Sequence, residues 1–169
     1  YMDFYSGNYT LYDSTLTGGV QETNPSRGSN ITFVNVTYSG TTSFENTNTT
    51  LYVKYYMDVN VTEAGSLVDG ATVNITNLEG TNIYTGLTTG GVIPRQEVLA
   101  YWVNSTDSVY LTPHTIFANK TIGGQIKTDT NITNTSLEQN TKISLALETA
   151  TGFCNFPIGQ GDWEVKGYQ

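Results

Sequence analysis

Residues 51–62 read LYVKYYMDVNVT, and this stretch decides the fold class. Leu51, Val53, Tyr55, Met57, Val59 and Val61 take the odd positions; Tyr52, Lys54, Tyr56, Asp58, Asn60 and Thr62 take the even ones. Successive side chains of a strand point to opposite faces, so one face enters a core and the other meets water. A strand of this length is about twice the usual five or six residues. Asn60 opens an Asn-Val-Thr glycosylation acceptor on the wet face, where a bulky sugar has to point.

Composition extends the β reading to the whole chain. Charged residues make up 13% of the 169 residues, against about 25% in ordinary soluble proteins. Asn and Thr fill the gap. The 12 Tyr and 6 Phe, with abundant Val, Ile and Thr, are strand formers and argue against disorder. A net charge of −8 with no basic cluster excludes a nucleic-acid partner. No apolar run approaches the ~20 residues of a membrane-spanning helix. The chain opens on Tyr1 with no signal peptide, which predicts a processed chain or an excised fragment.

Asn-X-Ser/Thr acceptors are dense. They occur at Asn8, Asn30, Asn35, Asn48, Asn60, Asn74, Asn104, Asn119, Asn131 and Asn134, whereas Asn24 is disqualified by Pro25. Chance would give roughly four in such a composition. Ten acceptors predict an exported, N-glycosylated, extracellular protein. Cys154 is the single cysteine, so no disulfide forms within the chain. Its apolar setting, GFCNFPIG, predicts burial.

Three segments organise the chain. Residues 1–50 repeat a theme: NYTLY, NITFV and NTTLYV each place an acceptor before a short apolar strand, at roughly twenty-residue spacing. They predict β-solenoid rungs or, alternatively, hairpin strands or a donated strand. Ile31–Tyr38 carries apolar residues on both faces, as Ile31/Phe33 and Val34/Val36. Residues 51–150 hold the long strand, a second alternating strand at Ala71, Val73 and Ile75, then EVLAYWV, then one or two strands bent at Pro113, then Ile143, Leu145 and Leu147. Gly and Asp-Gly turns separate them, and no helix pattern appears. About seven strands at this spacing predict an all-β sandwich. Residues 151–169 form an aromatic tail.

Residues 51–122 resemble the carboxypeptidase-regulatory-like group of immunoglobulin-like domains. The resemblance rests on YVKYYMDVNV, on AGSLVDGATVNITN with its V-x-G-A-x-V-x-I core, and on a later strand near TPHTIFANK. Such domains are common in archaeal and bacterial surface proteins, where they often follow β-helix rungs, which residues 1–50 resemble. The resemblance implies an archaeal-type surface glycoprotein with an immunoglobulin-like sandwich and a structural or adhesive role. It implies no peptidase activity.

No catalytic set is found. His114 is the single histidine and has no nucleophile signature beside it. One His and one Cys do not make a zinc site. Asp58, Asp69, Asp107, Asp129 and Asp162 are scattered and form no calcium loop. Lys54, on the polar face, reads as a surface lysine in preference to an isopeptide partner. Tyr101, Trp102, Tyr110 and Trp163 are candidates for stacking on sugars, or for packing. The expectation is therefore a non-enzyme with no cofactor. It is a structural subunit of a cell-surface filament, sheath or S-layer, a homo-polymer joined by strand complementation through Tyr1–Tyr12 or the tail. The alternative is a carbohydrate-binding or adhesive module of a larger surface protein.

Overall fold

The computed structural model describes residues 1–133 and 141–149. Asn134, Cys154, Asp162, Trp163 and the tail at 151–169 lie outside them. All the described structure is β-strand, turn and loop, as the composition predicts.

The chain first winds into a coil. Strands β1 (Met2–Asp3), β2 (Gly7–Leu16), β3 (Val20–Glu22), β4 (Ser29–Tyr38), β5 (Thr42–Phe44) and β6 (Thr50–Glu63) alternate between two parallel sheets. The short sheet stacks β1, β3 and β5; the long one stacks β2, β4 and β6. Asn8 pairs with Asn30 and Asn30 with Thr50, so equivalent positions recur once per rung. The repeated NYT, NIT and NTT phrases thus mark rungs of a solenoid. Residues 1–12 form the first rung, paired along Ser29–Val34 of the second, and are not a free arm.

The coil has its own core: Phe4, Val20, Ile31, Phe33, Val36, Leu51 and Val53. Val36 joins Ile31 and Phe33 there, although simple alternation would place it on the opposite face. The reason is local. Asn35 adopts φ 55° and Asp13, one rung below, adopts φ 47°. Each steps out of the ladder and reverses the face of the residues that follow. Asn and Asp tolerate this conformation better than branched residues do. Only Val34 stays on the outer face, and it is fully buried there.

Strands β7 (Ser66–Leu67), β8 (Thr72–Thr76), β9 (Asn82–Leu87), β10 (Gln96–Asn104), β11 (Ser108–Tyr110), β12 (Thr115–Ile122), β13 (Gln125–Ile132), β14 (Thr141–Ala146) and β15 (Glu148–Thr149) build two further layers. One is the continuation of the long solenoid sheet. Along one edge of β6, β4 pairs with Thr50–Lys54, and β14 takes over in parallel from Met57 to Thr62. On the other edge β10 runs antiparallel to Thr50–Met57. The facing sheet has the order β15-β13-β12-β8-β9. Met57, Val59 and Val61 from β6 meet Val73 and Ile75 from β8 and Ile116 and Ala118 from β12, with Val98, Ile143 and Leu145 completing the core. The result is a sandwich fused to a solenoid through one shared strand. Tyr55 and Tyr101 pack against both cores, and the Tyr101 and Tyr38 hydroxyls lie 2.7 Å apart across the junction.

One buried charge holds the solenoid's turns. Glu22 is 0% exposed. Its Oε1 accepts the Asn24 N–H at 2.5 Å, and Oε2 accepts from the Asn46 N–H and the Thr49 hydroxyl at 3.2 Å each. Thr49 Oγ1 in turn accepts the Ser29 N–H at 3.0 Å. A buried acceptor stripped from its donors leaves each to bear ~1–3 kcal/mol of desolvation. Glu22→Ala is therefore expected to lower unfolding free energy by about 3 kcal/mol or more, and Glu22→Gln by less because it keeps one acceptor oxygen. Urea denaturation of the two variants checks the order; equal stability to the parent would refute the role.

Candidate functional site

The outer face of the seven-stranded sheet carries a row of aligned polar and aromatic side chains. Its axis is the even-numbered side of β6. Tyr52 lies opposite Trp102, Lys54 opposite Leu99, and Tyr56 opposite Glu97. On the other edge, Asp58 lies opposite Lys142 and Asn60 opposite Ser144. Lys54 Nζ is 3.8 Å from Glu97 Oε2, so its neighbour is a carboxylate on a solvated face. Arg95 reaches across from the loop residue just before β10. Its Nε and Nη2 each donate to one Asp58 oxygen at 2.8 Å, and its guanidinium lies 5.0 Å from the Tyr56 ring centroid. The Arg95 hydrogen bonds hold the Asp58 carboxyl below its usual range, against a smaller opposing effect of burial. Beyond this pair the sheet dips into an open cavity of about 350 Å³, lined by Asp58, Val59, Asn60, Val92, Ile93 and Lys142.

Nine of the ten acceptors fall among the described residues, and none of the nine is buried. The two asparagines buried among the described residues, Asn46 and Asn77, are not acceptors; both use their side chains to close turns. Asn8, Asn30 and Asn48 gather at one corner of the solenoid, and Asn30 Nδ2 donates to Asn8 Oδ1 at 3.2 Å. Asn35 is tied through Nδ2 to Asp13 at 2.7 Å. Asn60 lies on the outer face of the first sheet, and Asn74 and Asn119 lie on that of the second, alternating with the buried Val73, Ile75 and Ala118. Asn104 ends β10, where its Oδ1 accepts the N–H groups of Thr106 and Asp107.

Asn131 sits on β13, which is turned over. It pairs with Ile116, and Asp129 pairs with Ala118, so these polar residues share the core-side face of the sheet. Ile126 and Ile132 instead stand 57% and 62% exposed. At the edge, polar partners replace packing: Lys127 bonds Glu63, and Asp129 Oδ2 accepts the Ala146 N–H at 2.7 Å. Hydrophobic patterning alone does not place such a strand, because its face is chosen by bonds to distant chain.

The other sequence candidates do not assemble. Among the described residues no group of three or more His, Cys, Asp or Glu is placed to hold a metal ion. Tyr101 and Trp102, as strand neighbours, point to opposite sides, and a bulge between Leu99 and Tyr101 makes Tyr101 the inward one, beside Ala100. Tyr101 instead stacks near Tyr110 at 5.3 Å; burial first, then its bond to Tyr38, pushes its phenol well above the usual range. His114 is 0% exposed, and neither ring nitrogen has a partner among the described residues. Its backbone N–H donates to Thr133 Oγ1 at 2.8 Å. The Asp58–Arg95 pair and the Glu22 plug were invisible in the sequence. Arg95 lies 37 residues from Asp58, and only strand register joins them.

No family model and no curated protein matches the chain. Among solved structures it is similar to the crystal structure of S.CueP, at 18% identity and a TM-score of 0.34, covering 56% of this chain and 64% of that one. A likeness that slight bears on neither fold nor function.

Burial lowers the His114 pKa below its ordinary 6.5. The unfolded chain then takes up a proton near pH 6.5 that the folded chain refuses, so stability present above that pH falls as acid is added. The loss is at most about 1.4 kcal/mol per pH unit for one such group. His114→Leu is expected to flatten the stability profile from pH 6.5 downward, read by thermal unfolding across that range. A variant profile parallel to the parent's would overturn it.

Proposed function

We propose that this chain is a structural subunit of an extracellular cell-surface assembly, clothed in N-linked glycans and polymerised with copies of itself. The observation that carries the reading is the division of the asparagines: none of the nine described acceptors is a buried residue, and the asparagines that are buried among the described residues are not acceptors. Glycans on both faces of the fold would solvate a surface with few charges and shield its strands from proteases. The resemblance of residues 51–122 to immunoglobulin-like domains of archaeal surface proteins agrees with this placement outside the cell.

Strand β2 supports the polymer reading. A solenoid rung pairs on two sides, and among the described residues β2 is paired on one, by β4. Open parallel edges invite another strand unless they are blunted. Here the first rung also exposes Tyr1, Tyr5 and Tyr12, at 77%, 69% and 50%. Strand complementation would satisfy that edge with a segment from a neighbouring copy.

A second reading, a carbohydrate-binding or adhesive module, draws on the cross-strand Trp102–Tyr52 pair on the outer face. Aromatic faces of this kind stack on apolar ring faces. Polymer without glycan-array binding favours the first reading; a monomer that binds glycans favours the second.

Native protein is expected to form fibres or sheets under the electron microscope. Tyr12→Lys with Thr15→Lys, charges on exposed positions of β2 that leave the Asn8 acceptor intact, is expected to leave a folded monomer by circular dichroism and to abolish those polymers. Assembly undiminished in the double variant would sink strand complementation at this edge.

A further inference from the structure

We propose that the cavity beside Asn60 is a seat for one sugar ring, and that the ring it holds is the first residue of the glycan on Asn60 itself. The inference rests on the reading of Asn60 as a glycan acceptor. It goes further by assigning one acceptor a sugar-binding subsite built into the fold.

A sugar ring has an apolar C–H face and a rim of hydroxyls. A seat for it needs an apolar wall, a fixed acceptor and a donor, all within reach of the attachment atom. The cavity supplies them. Val92 is an exposed aliphatic side chain, 46% accessible, on the strand-like segment bridged to Asn60. Ile93 lies beside it, and its N–H donates to the Val59 carbonyl at 3.3 Å, which fixes that wall to β6. Asp58 is the acceptor. Arg95 clamps both its oxygens at 2.8 Å, so the carboxylate is already ordered and keeps lone pairs for hydroxyl donors. Lys142, opposite Asp58 on β14, is the donor.

Size and position agree. The cavity's roughly 350 Å³ falls at the low end of small-molecule pockets, ~300–1,000 Å³. Asn60 forms part of its lining, so a ring bonded to Nδ2 begins at the cavity's rim and needs no long linker. A ligand delivered by its own covalent bond binds at high effective concentration, so even a shallow site is filled. Asn119 provides the comparison: it lies mid-strand on the outer face of the opposite sheet, between Thr72 and Thr128.

The test uses protein produced in its native host, with glycopeptide mass spectrometry to score Asn60 and hydrogen exchange to score residues 90–95. In Asn60→Gln, exchange in that segment is expected to rise about five-fold or more. Asn119→Gln is expected to leave exchange around its own residue unchanged. Val92→Ser, which retains the acceptor, is expected to keep the glycan and still lose the protection. A modified Asn60 whose segment exchanges equally fast with and without the glycan overturns the seat alone. An unmodified Asn60 overturns the glycan reading at this residue and the proposed occupant with it. Free N-acetylglucosamine distinguishes the source: restored protection in Asn60→Gln supports the sugar seat, whereas protection of an unmodified wild-type chain reassigns the seat to an external sugar.

Discussion

The whole structure depends on one strand being paired on both edges along most of its length while one of its faces serves two cores. β6 gives Leu51 and Val53 to the solenoid and Met57, Val59 and Val61 to the sandwich. Because the side-chain period is two, a slip of one residue would turn all of them to water at once. Two different partners, β4 and β14, meet along one edge of this strand. The register of either unit therefore constrains the other. Tyr55, Tyr101 and Tyr38 fill the seam with rings and a shared hydroxyl bond, where purely aliphatic packing would leave polar backbone from two units close together.

The solenoid is held by a different kind of constraint. Its rungs match side chain over side chain, so two rungs stay paired past an irregularity only where both carry it, as β2 and β4 do. Asp13 and Asn35 step out of the ladder at equivalent positions and are hydrogen-bonded to one another. Gly40 and Gly19 are stacked so closely that a Cβ on Gly40 would stand 2.1 Å from the Gly19 nitrogen. The turns have no room for a core of their own, and Glu22 fills that place with a carboxylate bonded to two backbone N–H groups and a hydroxyl. A charge buried this way is tolerated because its acceptor sites are occupied by donors that would otherwise be orphaned.

Much of this was readable in advance because it depends on period. Alternation located β6, β8 and β14 and put Asn60 and Asn74 on outward faces. The recurring acceptor-plus-strand phrase marked the rungs at near their true spacing. Counting failed elsewhere: about seven strands were expected, and the described residues hold fifteen, six of which (β1, β3, β5, β7, β11 and β15) have only two or three residues, too few to show a period. Alternation misplaced Val36, and it could not assign the faces of Tyr101 or β13, for one physical reason. Bulges and edge contacts change the face of a side chain without altering the composition around it.

The sequence by itself determined the class of the fold, the placement of the long strand and the list of possible glycan acceptors, since all three follow from local chemistry and a two-residue period. Only the tertiary structure decided that solenoid and sandwich share a sheet, that Asn46 and Asn77 are interior while none of the described acceptors is a buried residue, and that Asp58, Arg95 and Lys142 meet beside Asn60. Those outcomes rest on strand pairings between residues tens to more than eighty positions apart. The energy of such pairings belongs to the assembled sheet, and no single segment carries it.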